Sequence, residues 1–316
     1  MSEPLTVLVA GQQSDDDRTL IRAAAGGAEV IFVPRVGDAA DAMARVTAVA
    51  GSVTASQLSS ATELRWVHSW AAGADTELYA EMVASPVVLT SSVGNGAIPL
   101  AEHSMMLMLM LNRDAPRWAS AQSAKRWDRF THGELNGLTV GIYGLGNSGA
   151  DLAAKAHAFH MRVLGLRRRP NLSVPAVDRM FGPDDLHEFL GECDFVVVTA
   201  PLTADTRGVF DERAFRAMRS SAFFVCISRG GIADDRALLT ALEEGWIAGA
   251  GLDAHGTEPL PSESPFWELP HVIVTPHNGA TTAATARRGV DIFVDNLRRF
   301  TTGAPLRNVV DKSAGY

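Results

Sequence analysis

Short apolar runs alternate with helical stretches along the whole chain. Thr6 to Ala10 reads as a strand closed by Gly11. Ser14, followed by Asp15, Asp16 and Asp17, reads as a helix N-cap with acidic residues against the positive end of the helix dipole. Gly26-Gly27 ends that helix, and Glu29 to Val33 is the next strand. Arg65 to Ser69 and Pro86 to Thr90 are further strand candidates. Strands separated by helical segments imply crossover connections and a parallel sheet. A Leu- and Met-rich stretch from about Pro99 to Arg113 predicts a helix whose methionines fill a core or a subunit interface rather than a ligand surface. Pro116, Trp118 and Trp127 follow in a polar stretch. They pack on another subunit or edge an active site, and the pattern leaves both open.

A second series begins at Leu138, with strands predicted at Val140 to Tyr143, Arg162 to Leu166, Phe195 to Thr199, Phe223 to Ile227, Gly249 to Leu252 and Val272 to Thr275. These runs are apolar throughout, as expected of strands covered by helices on both faces. Near the C-terminus Val290, Phe293, Val294, Leu297 and Phe300 form a helical stripe ended by Gly303 and Pro305. Both halves therefore read as doubly wound α/β sheets.

Composition narrows the function. The chain has 316 residues, 47% hydrophobic and 20% charged, which suits about two globular domains and excludes a disordered tail. Its net charge of −8 argues against general nucleic-acid binding, which requires a basic face. Two cysteines cannot build a disulfide framework, so a cytoplasmic protein is expected. Met1-Ser2-Glu3-Pro4 lacks the layout of a signal peptide. Met105 to Leu111, the longest greasy run, falls far short of the ~20 apolar residues that span a bilayer.

The sharpest chemical signal is Gly144-Leu145-Gly146-Asn147-Ser148-Gly149, directly after an apolar strand and opening a helix with Leu152, Ala156 and Phe159 on one face. Gly144 permits the tight turn, Gly146 lets the backbone approach a pyrophosphate, and Gly149 lets helix and strand pack closely. The helix N-terminus then offers free N–H groups and partial positive charge to the phosphates. About 20 residues on, an NAD site usually carries an acid for the ribose 2′-hydroxyl. Here the chain reads Gly165-Leu166-Arg167-Arg168-Arg169-Pro170. Arg167 and Arg168 suit a 2′-phosphate, favouring NADP(H) over NAD(H), unless the run is only a solvated loop.

Three further residues follow predicted strand ends: Arg229 in Ser228-Arg229-Gly230-Gly231, Glu258 in the segment after Leu252, and His277 in Thr275-Pro276-His277. In open parallel sheets ligands bind at the carboxyl ends of strands, so these residues converge despite their separation. Arginine grips a carboxylate at two points, histidine exchanges a proton near neutral pH, and glutamate orients an imidazole. His255 is a second histidine near Glu258 and leaves open which imidazole it pairs with, His277 being favoured. Cys193 and Cys226 fall in or beside apolar strands and read as buried structural residues.

From about Leu64 to Val310 the chain resembles the D-isomer-specific 2-hydroxyacid dehydrogenases, a family that includes glyoxylate/hydroxypyruvate reductases and phosphoglycerate dehydrogenases. The likeness rests on the glycine turn, Pro201-Leu202-Thr203 with Thr206-Arg207-Gly208, Ser228-Arg229-Gly230-Gly231, Leu252-Asp253 with Glu258-Pro259-Leu260, and Thr275-Pro276-His277. The resemblance implies a flavodoxin-like substrate domain (1–98 and 284–316) and a Rossmann dinucleotide-binding domain (99–283), with a cleft that closes on ligands. It implies Arg229 as substrate anchor, Glu258 as the partner of the acid, and His277 as acid/base. It further implies cofactor contacts at Asn147, Ser148, Pro201, Thr206, Ile227 and Gly279, with Asp253 on the nicotinamide carboxamide. Ala72-Gly73 and Val93-Gly94 would approach the substrate. No metal is implied, and a homodimer is expected. The chain departs from the family at Cys226, where asparagine is usual, and at Ala254-His255, where the run is usually aliphatic then aromatic.

The expected activity is reduction of a small 2-oxoacid to its D-2-hydroxyacid, of the glyoxylate/hydroxypyruvate type. One alternative is a phosphoglycerate-type dehydrogenase working in the oxidising direction, whose substrate would want extra cations such as Arg65, Lys125, Arg126 and Arg129. Another is a non-enzymatic dinucleotide sensor, against which the intact Arg229, Glu258 and His277 set argues.

Overall fold

The computed structural model describes residues 5–315, so the reading of Met1 to Pro4 lies outside the described residues. The chain divides into two compact units. One holds the chain up to Asn95 and again from Thr282 onward; the other is Gly96–Thr281.

The first unit is built on five strands: β1 (Thr6–Ala10), β2 (Glu29–Val33), β3 (Ala48–Ala50), β4 (Trp66–Ser69) and β5 (Val88–Ser91). Their spatial order is β2-β1-β3-β4-β5, and every pair is parallel. This is the flavodoxin-like order. Ser14 caps the Asp15–Ala24 helix by accepting from the Asp17 N–H. The C-terminal helix, Ala283–Thr302, lays Val290, Phe293, Val294 and Leu297 on the β1, β3 and β4 side chains. Gly303 ends it in the left-handed conformation (φ 71°), which costs glycine no Cβ clash. Two apolar layers, one on each face, hold this sheet.

The second unit contains β6 (Thr139–Tyr143), β7 (Arg162–Leu166), β8 (Arg179–Phe181), β9 (Phe195–Val198), β10 (Phe223–Cys226), β11 (Gly249–Leu252) and β12 (Val272–Val274). They are parallel in the order β12-β11-β10-β9-β6-β7-β8, a Rossmann order extended by one strand. The expected Leu- and Met-rich helix spans Ala97–Asn112, with Met105, Leu107 and Met108 buried against β6, β9 and β10 side chains. On the opposite face Phe189, Phe210, Phe215 and Phe224 are fully buried.

The structure adds two strands and moves one residue. Strand β3 is three buried residues of Ala-Val-Ala, too short and too poor in β-branched residues to show as a run. Strand β8 is a three-residue edge strand beginning with exposed Arg179. Phe159, expected on the buried stripe with Leu152 and Ala156, is 43% exposed because it stands at the C-cap, past the last packed turn.

Register explains how distant residues meet. Leu166, Tyr143, Val198, Cys226, Leu252 and Val274 lie side by side in one row across the second sheet. Each is the last or nearly the last residue before a candidate functional segment. Gly144, Arg167, Asp253 and Thr275 all come one step beyond that row.

Candidate active site

Strand β6 runs into the glycine turn, and the Asn147–Ala158 helix starts immediately after it. Gly144 has φ 102°, and a Cβ there would lie 2.5 Å from the Ala200 nitrogen on the neighbouring strand connection. A Cβ on Gly149 would drive into the Gly144 carbonyl, so helix and turn pack as closely as they do only with glycine. Gly146 has open space where a Cβ would be, and as the N-cap it supplies no side-chain acceptor for the first-turn N–H groups. Asn147 is exposed beside it and Ser148 half-buried. These residues fit a dinucleotide pyrophosphate: backbone donors, a helix N-terminus and no side chain in the way.

Arg167 is half-buried at the end of β7, its N–H donating to the Phe181 carbonyl at 3.2 Å, with exposed Arg168 after it. After β9, the Thr206 hydroxyl donates to the Pro201 carbonyl at 2.7 Å and accepts from the Thr203 N–H at 2.8 Å, shaping that loop. Ile227 is 2% exposed, which leaves its backbone as the part that borders the strand-end row.

The second sheet brings Glu258 and His277 into contact. His277 Nδ1 lies 2.8 Å and 2.9 Å from the two Glu258 carboxylate oxygens. Burial pushes the Glu258 carboxyl up, but the His255 N–H and the His277 imidazole outweigh it and hold it below its usual value. A proton on Nδ1 facing the carboxylate leaves Nε2 as the nitrogen available for exchange. His255 does not compete: its ring Nε2–H donates to the Thr275 carbonyl at 3.0 Å, and only its main-chain N–H reaches Glu258. Arg229 is half-buried, donating from Nη1 to the Ser228 carbonyl at 2.8 Å. With Cys226, Asp235 and His255 it borders a cavity of about 10 Å³. The Cys226 thiol donates to the Arg229 carbonyl at 3.6 Å, and burial pushes it up to about 11, so it stays protonated. Cys193 is likewise buried and its thiol raised by burial.

Asp253 is 0% exposed and takes its donors from the protein. Its oxygens accept from the Thr275 hydroxyl at 2.7 Å, the Asn278 N–H at 3.1 Å and the Gly279 N–H at 2.9 Å. His103 Nε2 donates to the Thr275 hydroxyl at 3.0 Å and lies 3.6 Å from Asp253. Sequence reasoning missed His103; the signal was a lone imidazole in an apolar helix, indistinguishable from a core histidine without its partners. Ala72, Gly73 and Gly94 lie in the first unit, on loops leaving the carboxyl ends of β4 and β5, with Gly94 at φ 96°.

Residues 105–279 match the family model described as D-isomer specific 2-hydroxyacid dehydrogenase, NAD binding domain. A glyoxylate reductase of Pyrococcus furiosus is 32% identical over 282 residues, 86% of this chain and 83% of its own. A D-3-phosphoglycerate dehydrogenase of Methanocaldococcus jannaschii is 32% identical over 229 residues, 71% of this chain but 43% of its own. An NADPH-dependent glyoxylate/hydroxypyruvate reductase from Sinorhizobium meliloti, solved with NADP and sulfate, superposes with a TM-score of 0.86 at 30% identity, covering 99% of this chain and all of that one.

Proposed function

The chain belongs to the D-isomer specific 2-hydroxyacid dehydrogenases, oxidoreductases acting on CH–OH donors, and from that premise we propose that it reduces a small 2-oxoacid of the glyoxylate or hydroxypyruvate type with NADPH. The observation that carries the reading is the His277–Glu258 pair, beyond the same strand-end row as the glycine turn and Arg229. When bound, the nicotinamide cofactor would supply the hydride that reduction of a carbonyl carbon requires. His277 Nε2 gives its proton to the carbonyl oxygen as charge develops there. Glu258, against Nδ1, favours the charged imidazole that this transfer requires. Arg229 grips the substrate carboxylate at two points and fixes which face of the carbonyl is presented. The glycine turn, with Asn147 and Ser148, would cradle the pyrophosphate, and Arg167 and Arg168 would hold the 2′-phosphate.

Arg65, one of the cations a phosphorylated substrate would want, precedes β4 and lies over the Phe300 ring at 5.3 Å, at the opposite strand end from the candidate loops. Arg126 is 3.6 Å from Asp128. This placement favours an unphosphorylated acid. The deciding experiment is a panel of glyoxylate, hydroxypyruvate, pyruvate, phenylpyruvate and, in the oxidising direction, 3-phosphoglycerate, each with both nicotinamide cofactors. Fastest turnover of glyoxylate or hydroxypyruvate with NADPH supports the reading; preferential oxidation of 3-phosphoglycerate refutes it. We further propose a cytoplasmic homodimer formed through the region of Met106, Trp118 and Trp127, which are 39%, 41% and 90% exposed.

A further inference from the structure

Glu258 and His277 form one side of a closed hydrogen-bond circuit. Beginning at the Thr275 carbonyl, the His255 ring Nε2–H donates to it at 3.0 Å. The His255 main-chain N–H donates to Glu258 Oε1 at 2.9 Å. His277 Nδ1 donates to Glu258 Oε2 at 2.8 Å. The His277 main-chain N–H returns to the Thr275 carbonyl at 3.1 Å, across Pro276. Two of these four bonds, His255 to Thr275 and His277 to Glu258, tie the loop after β11 to the turn after β12; the other two brace each segment internally, and Thr275 accepts twice.

We propose that His255 is a positioning residue for the proton transfer, its Nε2–H latching the Glu258 loop to the turn that carries His277. The inference rests on the reading of His277 as the acid. Without the latch, Asp253 would still hold the backbone of the turn, but on the Glu258 side of the His277 ring the segments would be joined by the Glu258–His277 pair, whose side chains are 36% and 34% exposed. Ion pairs open to solvent contribute little, because side-chain entropy and screening oppose them. The His255 bond is different, because the residue is 8% exposed and an unmade buried donor is costly.

His277 also needs external restraint. Its φ is 50°, in the left-handed region that non-glycine residues occupy only when their surroundings over-determine them. Asp253 supplies one restraint by accepting from Thr275, Asn278 and Gly279, and His255 supplies another by donating to the Thr275 carbonyl. Arg229 is referenced to the same residue: Gly230 packs so closely on the His255 carbonyl that a Cβ would collide with it. The substrate anchor, the acid and the partner of the acid are thus all registered against residue 255. His255 also lines the small cavity together with Asp235, Cys226 and Arg229. Burial raises the Asp235 carboxyl, and His255 partly offsets that rise.

The test compares His255→Phe, which keeps a buried ring and removes the donor, with His255→Gln, which returns an amide N–H near the Nε2 position. Should the Phe variant fail to fold, His255→Asn, whose amide falls short of Thr275, takes its place. Turnover of glyoxylate with NADPH is followed across the pH profile, with histidine side-chain NMR on the same proteins and His277→Ala as control. His255→Phe should lower kcat about tenfold, the loss of one well-placed hydrogen bond, with the KM for NADPH within about twofold. It should also move the alkaline limb of the profile to lower pH, because a loosened carboxylate favours the imidazolium less. His255→Gln should recover most of kcat and the original profile. A wild-type profile in His255→Phe, or equal damage in the Phe and Gln variants, overturns the latch while an inactive His277→Ala leaves the proposed function standing. Near-normal His277→Ala turnover sinks the proposed function instead. The latch is then decided by NMR, where the His277 titration must move in His255→Phe and stay in His255→Gln.

Discussion

Arg229 and Glu258 show how much chemistry depends on shape as well as charge. Arg229→Lys keeps the positive charge but loses the planar fork that meets a carboxylate at two points. One lost charge-assisted hydrogen bond is worth ~1.5–3 kcal/mol, so kcat/KM for the 2-oxoacid should fall roughly ten- to hundredfold while NADPH binding, measured by fluorescence titration, stays near wild type. Glu258→Gln removes the negative charge 2.8 Å from His277 Nδ1. An opposite charge favours the charged form of its neighbour, so its loss should move the alkaline limb of the reduction profile to lower pH. An unmoved limb in that variant would count against the pairing as the source of acid strength.

At the scale of elements, cofactor choice resides at the end of β7. Arg167 stands one residue beyond the strand-end row, and the segment Gly165 to Pro170 contains no acid. Replacing Arg167 and Arg168 together by alanine should raise the KM for NADPH roughly ten- to a thousandfold and change that for NADH little, since only NADPH carries the 2′-phosphate. Added salt should weaken NADPH binding more than NADH binding, because the contact is partly exposed and screened. Equal use of both cofactors by the wild-type protein would reduce the arginine run to a solvated loop. The Ala97–Asn112 helix belongs to the same scale: one side packs on the sheet while Ile98 and Met106 remain 45% and 39% exposed. Sedimentation at micromolar concentration should give a dimer, and a monomer there would remove the proposed interface.

For the molecule as a whole, stability should fall as the solution is acidified, and His68 is a main reason. It is 0% exposed in the first unit, bonded to the Thr90 and Ser92 hydroxyls at 2.8 Å and 3.1 Å and flanked by Trp66, Trp70 and Phe293. Burial pushes its imidazole down to about 3 from an ordinary 6.5. Below pH ~6.5 the unfolded chain takes up a proton that the folded chain refuses until about pH 3, so stability is lost over that window as pH falls. The slope is on the order of 1 kcal/mol per pH unit from this one group. Urea midpoints at pH 7 and pH 5 should therefore differ more for the wild type than for His68→Gln; equal differences would show that other groups set the acid sensitivity.

Local patterns carried much of this protein. The glycine turn, the capped first helix, the strand runs and the three residues past strand ends are encoded in neighbouring positions, because turn geometry, capping and burial on both faces act over a few residues. That both sheets are parallel also follows from alternating elements joined by crossovers, while their Rossmann and flavodoxin-like character was implied by the family resemblance. What lay beyond the sequence was decided by contacts between distant segments. Strand β3 exists because β1 and β4 flank three alanine-rich residues, and Phe159 is exposed because the helix ends one residue too soon. The choice between His255 and His277 as the Glu258 partner was settled by the register of β11 against β12, which sets Thr275 within reach of the His255 ring and leaves His277 Nδ1 to the carboxylate. A hydrogen bond distinguishes two imidazoles by an ångström, and only the packed sheet fixes distances that finely.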